Sequence, residues 1–148
     1  MKKASSNLLL LDVNVLLAIA WPNHQFHAAV GRRLEPSIDR WATCAITQLG
    51  FIRLSSNPAA VPSAATPAQA AAVLAVMVSD PLHVYLEVLP SPVGKEASIA
   101  LARILGSKQV TDAYLLALAR RHKATFVTFD SRLKELAGSD TKMDVLGV

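Results

Sequence analysis

Short apolar or β-branched runs alternate with helical patterns along this chain, and that alternation limits the fold more than any other feature. Leu8, Leu9, Leu10 and Leu11 form the first run, which ends at Asp12. So short and uniform a run predicts a strand buried on both faces. Residues 14–21 and 24–34 then read as helices around a break at Trp21-Pro22-Asn23. Residues 41–46 read as a second strand. Residues 47–55 follow as a helix closed by Asn57-Pro58. Thr66-Pro67-Ala68-Gln69 supplies an N-cap, a Pro at the first helical position and a capping-box Gln, for a helix ending near Ser79. Residues 83–88 make a third strand and 95–105 a helix stopped by Gly106. Thr111 is expected to cap a helix running through His122. Residues 124–129 make a fourth strand, 131–137 a short helix and 143–148 a fifth strand. Strand–helix alternation predicts an α/β fold with a parallel sheet, right-handed crossovers and helices on both faces.

At 148 residues the chain is expected to be one domain, 1–148, which buries about 70% of its unfolded surface without staples. Cys44 is the single cysteine, so no internal disulfide forms and a reducing, cytoplasmic setting is the default expectation. Hydrophobic residues make up 52% and charged residues 18%, which excludes a disordered, solvating chain. The apolar excess also favours self-association or a partner. No membrane span is expected, because the longest clean apolar run, 70–78, is far short of the roughly 20 residues required. Lys2 and Lys3 ahead of residues 8–20 mimic a signal peptide, but Asp12 and Asn14 interrupt the apolar stretch. The net charge of +4 favours a polyanionic partner, nucleic acid first.

In a parallel sheet, strand C-termini and the N-termini of the following helices share one edge. Asp12 ends the first strand, Gln48 opens the helix after the second, Asp112 opens the helix before the fourth strand, and Asp130 ends that strand. With strand order 3-2-1-4-5, a crevice opens between strands one and four, flanked by Asp12 and Asp130. Each residue also has a structural reading. Asp130 equally fits a cap for the helix at Ser131, and Asp112 a complement to a helix dipole. Asn14 fits either an orienting partner for Asp12 or a helix opener. Asp12 is harder to dismiss, since a carboxylate between two apolar segments needs donors or a cation. Three carboxylates on one edge repel one another unless a cation intervenes. Mg²⁺ and Mn²⁺ prefer such oxygen ligands and can activate water at a phosphodiester. A metal nuclease would pair this acidic pocket with a basic surround, for which Arg32, Arg33, Arg53, Lys108, Arg120, Arg121 and Lys123 are candidate nucleic-acid backbone contacts.

Other chemistries lack support. His24 and His27 are three apart with no further zinc ligands nearby, and Cys44 reads as a small core residue. There is no Gly-rich phosphate loop and no GxSxG.

Four segments carry a family resemblance: Leu10-Leu11-Asp12-Val13-Asn14-Val15-Leu16-Leu17, Thr43 through Arg53, Val110-Thr111-Asp112-Ala113-Tyr114-Leu115, and Val127-Thr128-Phe129-Asp130. In order and spacing they resemble the PIN-domain ribonuclease toxins of VapC type. The resemblance implies a PIN-like three-layer α/β/α fold and endoribonuclease cleavage of structured RNA, tRNA or rRNA, by water activated on Mg²⁺ or Mn²⁺. It further implies a toxin of a type II toxin–antitoxin system, restrained by a VapB-type antitoxin and acting as a homodimer. Val13, Leu16, Leu17 and residues 71–78 are candidates for the dimer surface, with the core as their alternative place. By position, Asp12, Asp112 and Asp130 match catalytic, metal-binding acids and Thr128 a supporting polar residue. Gln48 departs from the Glu usual in the family. An amide can accept a hydrogen bond but brings no charge, so metal binding should weaken.

That departure opens a second reading, a catalytically weak PIN-fold module that binds RNA or antitoxin. A phosphotransfer domain is a third, but a dehalogenase-type phosphatase needs Asp where Asn14 stands, and no Lys is placed for a receiver.

Overall fold

The computed structural model describes residues 7–147. Lys2, Lys3 and Val148 therefore lie outside the described residues. Five parallel strands form one sheet: β1 (Leu8–Leu11), β2 (Arg40–Cys44), β3 (His83–Leu86), β4 (Thr125–Thr128) and β5 (Lys142–Val145). Their order is β3-β2-β1-β4-β5, the order on which the expected crevice depends. The helices are α1 (Val13–Ala20), α2 (His27–Leu34), α3 (Ala45–Ser55), α4 (Pro67–Met77), α5 (Lys95–Leu101), α6 (Val110–Arg121) and α7 (Lys134–Ala137).

Alternation within each strand feeds two cores. Leu10, Ala42, Cys44, Leu86 and Phe126 pack with Leu115, Leu118 and Ala119 of α6 and Ala137 of α7. Leu11 and Val127 point the other way, onto Val15 and Leu16 of α1, Val30 of α2, Phe51 of α3 and Leu74 of α4. The first strand is wholly leucine because both of its faces are covered. Leu16 and Leu17, candidates for a dimer surface, are buried here, whereas Val76 on α4 is exposed.

Several element ends differ from the sequence expectation. β2 stops at Cys44 because the Thr47 hydroxyl accepts from the Cys44 N–H at 3.0 Å, which starts α3 two residues early. Thr111 is not a cap: a 3₁₀ turn, Ser107–Gln109, leads in and Gln109 takes that place. Residues 24–26 are turns rather than helix, with the His24 N–H on Trp21 O and the His27 N–H on His24 O. α5 ends at Leu101, after which turn-type bonds from Arg103 and Ile104 replace the helix. The Thr66–Gln69 capping box forms as expected.

α1 and α3 cross closely, and Gly50 permits it. A Cβ at position 50 would lie 2.8 Å from Val13 Cγ2, inside contact distance, and Val13 is β-branched and stiff. Gly50→Ala should therefore lose about 1–2 kcal/mol net, because overpacking outweighs the roughly 1 kcal/mol gain in helix propensity. Urea unfolding of Gly50→Ala in wild-type and Val13→Ala backgrounds checks this. The penalty should vanish when the Val13 methyls are gone.

Candidate active site

Strand register builds the site. Leu11 of β1 pairs with Val127 of β4, and the Asp12 N–H donates to Val127 O at 2.9 Å. Asp12 and Thr128 are thereby placed side by side where the two strands end. Asp12 also caps α1, accepting from the Val13 N–H at 2.8 Å through Oδ1. Its other oxygen, Oδ2, accepts from the Thr128 hydroxyl at 2.7 Å. Asp12 is only 8% exposed. Burial raises its pKa above the ordinary carboxylate value. The Thr128 and Val13 bonds pull the other way, and the charge of Asp130 adds to the rise.

Thr128 is fully buried and serves two acids. Its Oγ1 donates to Asp12 and accepts from the Asp130 N–H at 3.1 Å. Asp130 then caps the 3₁₀ turn Ser131–Leu133, accepting from the Arg132 N–H. The Arg132 guanidinium grips both Asp130 oxygens and holds this carboxyl below its ordinary value.

Asp112 sits half-buried in the first turn of α6. Burial first, and then the charges of Asp12 and Asp130, push its pKa up to about 6, against a smaller opposing effect of Arg132. Asp12 and Asp130 thus act on Asp112 through their charges. Asp112 and Asp130 line a cleft of about 460 Å³ with Ser107, Lys108, Gln109 and Arg132.

Gln48 stands in the first turn of α3, at the same edge of the sheet, but bonds elsewhere. Its Nε2 donates to Thr43 Oγ1 at 3.0 Å, and Thr43 in turn bonds His83 Nε2 at 2.8 Å. Asn14 is exposed on α1, and the bonds that orient Asp12 come from Thr128 and Val13. Of the seven candidate RNA-contacting cations, Lys108 lines the cleft. Arg33 pairs with Asp144, Arg120 with Asp140 and Arg121 with Glu96. Arg53 and Arg32 lie in the last turns of α3 and α2, and Lys123 in the turn before β4. Sequence reasoning missed Arg132. Its only signal was its place two residues after a strand-ending Asp.

Among the described residues, no three His, Cys, Asp or Glu side chains stand close enough to chelate one ion as placed. The donor chemistry nevertheless fits a hard cation. Every donor is a carboxylate oxygen, and Asp112 lies in the field of the Asp12 and Asp130 charges. Mg²⁺ commonly takes one or two carboxylates and keeps several waters, so spaced acids suit it better than a closed cage would.

A PIN-domain family model matches residues 9–139. The chain belongs to the PIN-domain family and, within it, to the VapC group. Ribonuclease VapC39 of Mycobacterium tuberculosis is 41% identical over 132 residues, 88% of this chain and 94% of that protein. Ribonuclease VapC38 of the same organism is 40% identical over 137 residues, 92% and 94% of the two chains. The fold is also that of the solved structure of VapBC2 from Rickettsia felis bound to a DNA fragment from their promoter. That match has a TM-score of 0.58 at 11% identity, covering 95% of this chain and 99% of the other.

The raised pKa of Asp112 has a consequence for stability. Between about pH 4 and pH 6 the folded, metal-free protein holds a proton on Asp112 that the unfolded chain has released. That contribution is greatest at the acidic end and is lost as pH rises through about 6. Stability in EDTA should fall by about 1–2 kcal/mol over this window, a figure discounted for solvent reaching the carboxylate. Asp112→Asn should flatten that part of the profile, as urea titrations against pH would show. Parallel profiles would contradict the assignment.

Proposed function

We propose that this protein is a Mg²⁺- or Mn²⁺-dependent endoribonuclease, the toxin half of a toxin–antitoxin pair. The observation that carries the reading is the convergence of Asp12, Asp112 and Asp130 at one sheet edge, where burial and neighbouring charge raise Asp12 and Asp112 and Arg132 offsets the charge of Asp130 alone. The ribonuclease names of the VapC relatives support it. Asp12, Asp112 and Asp130 would hold the metal, which when bound supplies an activated water and neutralises charge on the scissile phosphate. Thr128 fixes the rotamer of Asp12 and the backbone of Asp130. Burial of Asp12 keeps one wall of the site dry, which strengthens electrostatic interactions there. Lys108, across the cleft from no fixed partner of its own among the named ion pairs, is the cation best placed to receive an RNA phosphate. Structured RNA, tRNA or rRNA, is the proposed substrate. A VapB-type antitoxin is the proposed restraint, and a homodimer the proposed form. No helix of the described residues is long and apolar enough to cross a membrane.

Gln48 favours a second reading, an RNA- or antitoxin-binding module that cuts poorly. It places an amide where the family usually has Glu, and Thr43 holds that amide. Cleavage of total cellular RNA by antitoxin-free protein, in Mg²⁺, Mn²⁺ and EDTA beside Asp12→Asn, separates the two. The nuclease reading expects metal-dependent cutting that Asp12→Asn abolishes, and Gln48→Glu to tighten Mg²⁺ binding by roughly tenfold. Folded protein that leaves RNA intact would support the binding module. Cleavage surviving Asp12→Asn would contradict the metal site.

A further inference from the structure

The cleft already contains a cation belonging to the chain. Arg132 Nε donates to Asp130 Oδ1 and Nη2 to Oδ2, each at 3.0 Å. This is the two-pronged fork by which guanidinium recognises carboxylate. Both Asp130 oxygens are engaged by it, and these are the oxygens a divalent cation at this edge would need. The Arg132 side chain is otherwise 84% exposed, so Asp130 is its main anchor. An ion pair open to solvent on its cationic side is weakly held and exchangeable. Arg132 also lines the cleft beside Asp112 and Lys108, so a released guanidinium stays at its mouth.

We propose that Arg132 is a built-in counter-ion which a divalent cation displaces from Asp130, and that the released guanidinium then serves the cleft as a phosphate-binding group. The inference rests on the metal-dependent reading above. Before metal arrives, Arg132 neutralises one of three crowded acids. Afterwards the metal takes over that neutralisation, and the cleft gains a free fork suited to an RNA phosphate. Arg132 thus opposes metal uptake and favours RNA retention, and the two events are coupled through Asp130. The residue acts on the metal site through Asp130, which makes it a positioning residue there.

Mn²⁺ binding to the full-length, antitoxin-free chain tests this, with free Mn²⁺ followed by electron paramagnetic resonance. Wild type, Arg132→Ala, Asp130→Asn and the double variant form a cycle. Arg132→Ala should bind Mn²⁺ roughly three- to fivefold more tightly than wild type. Asp130→Asn should bind more weakly, and adding Arg132→Ala to it should change nothing further. In a second measurement, Arg132→Ala should lower the salt dependence of single-stranded RNA binding by about one counterion in Ca²⁺ but not in EDTA. Mn²⁺ affinity unchanged or weakened by Arg132→Ala, while Asp130→Asn still weakens wild-type binding, would overturn this inference alone. Equal tightening in both backgrounds would also overturn it, since Arg132 would then act as a distant charge. An RNA effect equal in Ca²⁺ and EDTA would overturn the release step. No Mn²⁺ uptake by wild type would overturn the metal-dependent reading and this inference together.

Discussion

One hydroxyl holds the site together. Thr128 is fully buried at the end of β4, donates to the Asp12 carboxylate and accepts from the Asp130 backbone. A buried carboxylate without donors is costly, and Asp12 has two, from Thr128 and Val13. The bond works only because β1 and β4 are neighbours in register, so it depends on the central pairing of the sheet. Two strands distant in sequence thus present their acids at a fixed separation. The helices behind them close both faces of the sheet, and the carboxylate edge remains the place where polar groups gather.

Charge then divides the three acids by environment. Asp130 is neutralised locally by Arg132, which holds its carboxyl below the ordinary carboxylate value. Asp12 and Asp112 are destabilised by burial and by their neighbours. A single ion-paired acid beside two frustrated ones is an unbalanced arrangement, and an added cation would relieve it. The wider surface shows the opposite balance, with several basic side chains tied to acids remote in sequence, as in the Arg33–Asp144 and Arg121–Glu96 pairs. Such exposed pairs contribute little to stability, and they break readily when a polyanion competes.

Much of this was legible in the sequence. Four consecutive leucines ending in Asp12 announce a strand covered on both faces with an acid at its end. Asp112 and Asp130 are placed by the same strand–helix logic, whereas Thr128 enters only through the family resemblance. Other features were hidden because they depend on side chains meeting through space. The Thr47 bond that starts α3 at Ala45 overrides the β-like composition of residues 41–46. The Gln48–Thr43–His83 chain joins β2, β3 and α3, and no spacing rule reveals it. Surface arginines look alike in sequence. Only the fold distinguishes Arg121, paired with Glu96, from Arg132, folded back onto an acid of the cleft.

The edge defined by Asp12, Asp112 and Asp130 is proposed to hold a divalent cation. The most direct measurement is an anomalous difference map from crystals grown with Mn²⁺. A peak is expected among those three carboxylates. A map with no peak there at saturating Mn²⁺, or with the ion bound elsewhere, would contradict it.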